Sequence, residues 1–109
     1  MQAATEPRTT LDAMDHVAIA VQEIAGAVLW YQNRFQCEVI YQDDSWALLR
    51  FANIKLALVL PDQHPPHLGF VHPDAKSFGP LQPHRDGTRS TYIRDLDHNS
   101  IELLQDTSD

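Results

Sequence analysis

His16-Val17-Ala18-Ile19-Ala20 and His67-Leu68-Gly69-Phe70-Val71 share one pattern. Each begins with histidine, places bulky residues second and fourth, and puts a very small residue third. The alternation predicts two strands, each with one bulky and one small face. The elements between them predict a βαβββ series. Ile24, Ala27, Val28, Tyr31 and Phe35 recur at helical spacing, so Glu23 to about Phe35 reads as an amphipathic helix. Cys37–Gln42, Trp46–Phe51 and Ile54–Leu60 read as strands, separated by turns at Asp43-Asp44 and Ala52-Asn53. After the proline-containing connector 61–66 the series starts again with His67–His72 and ends with Arg89–Asp95, a turn at Leu96–Asn99, and Ser100–Gln105. Ile54-Lys55-Leu56 matches Ile101-Glu102-Leu103 at the ends of the two halves. Two similar units sharing one core follow.

Residues 73–88 break the symmetry. They hold prolines and glycines and predict no full helix. The second unit is therefore short of one wall, and apolar sheet surface is left for a partner chain to cover, which favours a homodimer. The expected organisation is a polar tail over 1–13 and one domain over 14–109, with module one at about 14–60 and module two at about 67–105. The fold class is α+β: paired βαβββ modules forming a cup-shaped mixed sheet, the second with a shortened or missing helix.

Period two then assigns faces. If Val17 and Ile19 face the helix, His16 and Ala18 face the other side, as do His67 and Gly69. Glu102, between Ile101 and Leu103, shares that side. Two histidines and a carboxylate in a cup form a set suited to a divalent first-row metal with open positions. Each residue also has a plain structural reading: the histidines as strand-start residues bonded to a carbonyl, Glu102 as an exposed edge-strand carboxylate. Their partnership separates the two.

The sequence resembles the vicinal oxygen chelate superfamily, which includes glyoxalase I, extradiol dioxygenases, fosfomycin-resistance transferases and bleomycin-resistance proteins. The resemblance rests on Asp15–Val21, Trp30-Tyr31, His67–Phe70 and Asp95–Leu103, and spans about residues 14–105. It implies a cup with metal ligands on the first and last strands of each module. His16, His67 and Glu102 take three of four ligand positions, and the fourth falls near Lys55 or Ala57. It implies Fe, Mn, Ni, Co or Zn as the ion, a small-molecule substrate, and Lewis-acid chemistry of the dioxygenase, lyase or isomerase, or thiol-transferase type. Tyr92 matches a cup-lining tyrosine of the fosfomycin enzymes and would donate a hydrogen bond or proton. Asp86 stands where those enzymes carry a neutral hydroxyl and would repel a phosphonate. The alternatives are a metal-free sequestering protein of the bleomycin-resistance type and a degenerate dimerising subunit. In either alternative the triad carries no catalysis.

The chain of 109 residues has 43% apolar residues and a net charge of −7. Such acidity disfavours nucleic acid and anionic membrane surfaces as partners. No apolar run approaches the roughly 20 residues of a membrane span. The single Cys37 and the absence of an apolar leader suit the cytoplasm. Cys37 reads as a small buried hydrophobe, and Trp30 and Trp46 as core or dimer contacts. His64, His72, His84 and His98 read as solvated or loop residues, and Arg89 and Arg94 as surface charge.

Overall fold

A computed structural model of the chain describes residues 11–84 and 87–106. Eight strands form one curled mixed sheet: β1 Ala13–Ala20, β2 Glu38–Gln42, β3 Trp46–Arg50, β4 Lys55–Val59, β5 His67–His72, β6 Gln82–Pro83, β7 Arg89–Arg94 and β8 Ser100–Gln105. The helix α1 spans Ile24–Arg34. Most of the expected tail lies outside the described residues, but its last residue, Ala13, already belongs to β1.

The strand order is β2-β3-β4-β1-β5-β8-β7-β6. The first four and the last four are mirror sequences of one βαβββ plan, joined where β1 runs antiparallel to β5. In module two a short 3₁₀ turn, Ala75–Phe78, stands where module one has α1. Among the described residues of 73–88 there is thus no full helix, as their prolines require, yet they do contain the edge strand β6. That strand is only two residues long, and its Pro83 sits on an edge, where a missing N–H does least harm.

The two faces of module one divide as alternation demands. Ile24 and Val28 of α1 pack against Ala47, Leu49 and Leu58 on the convex face, with Ile19 and Leu56 beside them. Ala18, Leu48, Ala57 and Val59 pack together on the concave face, next to Trp46 and Tyr41. Glu23 caps α1, its carboxylate accepting from Ala25 N and Gly26 N at 2.9 and 2.8 Å. No helix among the described residues is long and apolar enough to cross a membrane.

Candidate metal centre

The repeated strands meet at the centre of the sheet. His16 lies opposite Gly69, and Ala18 lies opposite His67. Each histidine therefore faces the small third residue of the other copy. The space is needed: a β-carbon on Gly69 would stand 2.2 Å from His16 Cε1. Glu102 on β8 is the register partner of Gly69, which brings its carboxylate beneath both rings.

Three side-chain atoms converge there within one chain. His16 Nε2 and His67 Nε2 are 3.0 Å apart. Glu102 Oε1 lies 3.1 Å from the first and 3.0 Å from the second. All three residues are buried, at 7%, 9% and 5% exposure. Partners outside the triangle orient each of them. His16 Nδ1 is 2.8 Å from Asp15 Oδ2, and His67 Nδ1 is 2.7 Å from the Pro65 carbonyl. Each Nδ1 is then the N–H donor, and each Nε2 of a neutral ring presents a lone pair. Ser90 Oγ donates to Glu102 Oε2 at 2.6 Å and pins the carboxylate.

Three electron-pair acceptors pointing at one another require a cation or a proton between them. Neighbouring donors on an octahedral ion with bonds of about 2.1 Å are about 3.0 Å apart, so the spacing suits a facial two-histidine, one-carboxylate site. The titration behaviour has the same origin. Burial raises the Glu102 carboxyl, but hydrogen bonds with His16, His67 and Ser90 outweigh it and hold the group well below the usual carboxylate range. Burial lowers the His16 imidazole, yet the hydrogen bonds to Asp15 and Glu102 prevail and push it up to about 9.

Two expectations are corrected. The end-strand match of Ile54-Lys55-Leu56 with Ile101-Glu102-Leu103 is displaced by one pleat. Gly69 pairs with Glu102 while Ala18 pairs with Ala57, so Ala57 holds the fourth position and Lys55 stands beside His16. Parity survives the shift, and both residues still line the cup. His64, expected in solvent, also lines it, and so does His84, which is the loop residue expected but turns into the cup. His84 Nε2 is 2.6 Å from Ser90 Oγ and 3.2 Å from Glu102 Oε2. No periodicity signals a loop histidine, so only the folded chain reveals it.

Asp15 was missed for a different reason. Strict alternation turns it away from His16, but β1 bulges between Met14 and His16, and the extra residue re-aims its neighbours. Tyr92 is the cross-strand partner of Glu102 and packs edge-on to His67 at 5.3 Å. Burial, and then the Glu102 carboxylate, raise its phenol well above the ordinary value. His72 packs on Phe78, away from the cup. His98 adopts φ 67° in the β7–β8 turn, the left-handed conformation that glycine usually supplies. Cys37 packs against the convex core, Trp46 lines the cup, and Trp30, Arg89 and Arg94 are exposed. Asp86 lies outside the described residues.

The sequence matches no protein-family profile and no curated protein. Solved structures do match. Methylmalonyl-CoA epimerase from Mycobacterium tuberculosis superposes with a TM-score of 0.71 at 19% identity, covering 98% of this chain and 97% of that one. The Streptomyces coelicolor epimerase in complex with 2-nitronate-propionyl-CoA gives 0.73 at 16%, covering 91% and 97%. A hypothetical protein of Bacillus halodurans gives 0.70 at 13%, covering 92% and 98%. These likenesses establish the fold: the curled, cup-shaped mixed sheet is shared with those structures, and it is the architecture implied by the sequence resemblance.

Proposed function

We propose that this chain is a metal-dependent enzyme of the vicinal oxygen chelate superfamily that acts on a small oxygen-chelating molecule. The observation that carries the reading is the buried triangle of His16 Nε2, His67 Nε2 and Glu102 Oε1, 3.0 to 3.1 Å apart, with each side chain oriented by a neighbour outside it. A divalent ion (Fe, Mn, Ni, Co or Zn) held by these residues supplies Lewis-acid stabilisation of negative charge on a substrate oxygen.

The remaining roles belong to the protein. Asp15 and the Pro65 carbonyl keep both rings in the metal-binding tautomer. Ser90 keeps Glu102 from rotating. Tyr92 stays protonated and donates a hydrogen bond to the bound substrate. Trp46, Leu48 and Val59 exclude water from one wall. Among isomerisation, thiol addition and ring-opening oxygenation, the likeness to methylmalonyl-CoA epimerases supports isomerisation. A second copy of the chain covers the convex face of module two. There Val17, Leu68, Ile101 and Ile93 follow one another in cross-strand register, and Leu68 is 36% exposed.

The test is metal refilling. Protein stripped with EDTA is titrated with Fe(II), Mn(II), Co(II), Ni(II) or Zn(II), and its unfolding temperature and metal content are read. The reading expects stoichiometric binding and a raised unfolding temperature, both lost in His67→Ala. No retained metal and no shift with any ion would overturn it in favour of a metal-free sequestering cup.

A further inference from the structure

Among the described residues, Lys55 is the lysine that lines the cup. The register places it beside His16, and its Nζ lies 2.9 Å from Asp15 Oδ1 with the side chain about one third exposed. Asp15 spends its other oxygen on His16 Nδ1. An ammonium has three N–H donors, so Lys55 can hold Asp15 and still offer donors to a ligand.

Charge narrows what that ligand is. Among the described residues, Asp15 and Glu102 are the carboxylates and Lys55 the ammonium lining the cavity. With neutral imidazoles they sum to one negative charge, and a divalent ion turns the sum to one positive. An uncompensated charge in a partly buried cup is unfavourable, and a bound monoanion cancels it. The wall formed by Trp46, Leu48 and Val59 is apolar and offers no partner to a second charge. The cavity measures about 150 Å³, the size that elsewhere accepts a benzene-sized body.

We propose that Lys55 determines specificity, selecting a compact monocarboxylate with an apolar body. The carboxylate meets Lys55 Nζ, the hydrocarbon lies on the Trp46 wall, and a neighbouring carbonyl or hydroxyl oxygen faces the His16–His67–Glu102 centre. This rests on the metal reading above, and it goes further by naming the charge and size of the substrate. The pseudo-symmetry explains the room for it. Ala57, where a fourth ligand would sit, leaves open the space beside Lys55.

The experiment measures binding of α-ketoisovalerate and of its uncharged methyl ester to Mn(II)-loaded protein by calorimetry. The quantity read is the ratio of the two affinities, so any loss of metal affinity in a variant cancels. Lys55→Met, and Lys55→Gln as a second variant that keeps a hydrogen-bond donor for Asp15, are expected to lower the acid-to-ester ratio about tenfold, the size of one charge-assisted hydrogen bond. They should do so by weakening the acid and leaving the ester unchanged, while Lys55→Arg retains most of the ratio. A ratio unchanged in both neutral variants would overturn the assignment of Lys55 while leaving the metal centre intact. Failure of the wild-type protein to bind Mn(II) would overturn both.

Discussion

A β-carbon on Gly69 would be placed 2.2 Å from one atom of the His16 ring and 2.5 Å from another. The ring cannot swing away without losing Asp15 on one side and Glu102 on the other. Gly69→Ala is therefore expected to weaken metal binding at least about tenfold, as loss of ligand orientation does elsewhere. Competition with a chelator checks this, and circular dichroism should show the sheet retained. Protonation gives a second expectation. The His16 imidazole sits at about 9 when folded and near 6.5 unfolded. Its folded value is the higher one, so its contribution to stability is complete below about pH 6.5 and is lost as pH rises through about 9. Denaturant unfolding of EDTA-treated protein should show that decline between pH 6.5 and 9, and metal-loaded protein should not. At this scale much was legible in the sequence. Period two put His16, His67 and Glu102 on one face, but the small residues Ala18 and Gly69, which read as room for a ligand, make room for the two rings instead. Asp15 was not legible, because a bulge reverses its parity, and neither was His84, because a loop carries no period.

The elements show what local chemistry could and could not announce. The stripe of α1 is plain in Ile24, Ala27, Val28 and Tyr31, and the buried pair Ile24 and Val28 confirms it. Its start is less conventional, since glutamate is not a favoured N-cap. Glu23 nevertheless reaches two free amides, and Gly26 leaves the room to do so. Glu23→Ala should lower stability by about 1 kcal/mol, read as a few degrees in thermal unfolding, with metal affinity unchanged. In module two, prolines at 73, 80 and 83 made the loss of a helix readable. The two-residue β6 was not, because so short an edge has no alternation to detect. Its register with β7 comes from the fold: Ser90, paired with Gln82, is the residue that anchors Glu102.

Across the whole molecule, two copies of one plan meet at β1 and β5 and place the candidate centre on their seam. The halves differ in cover. Module one buries its convex face under α1, whereas module two has only the 3₁₀ turn. Leu68→Asp, at the exposed position of that apolar row, is therefore expected to shift sedimentation from dimer to monomer with the centre intact; a wild-type monomer would refute that interface. Metal binding at this seam is read by anomalous diffraction from crystals soaked in Mn(II), collected to maximise the manganese signal. One peak per chain is expected about 2.1 Å from His16 Nε2, His67 Nε2 and Glu102 Oε1. No peak there, or manganese bound elsewhere with the three side chains still hydrogen-bonded to one another, would contradict it.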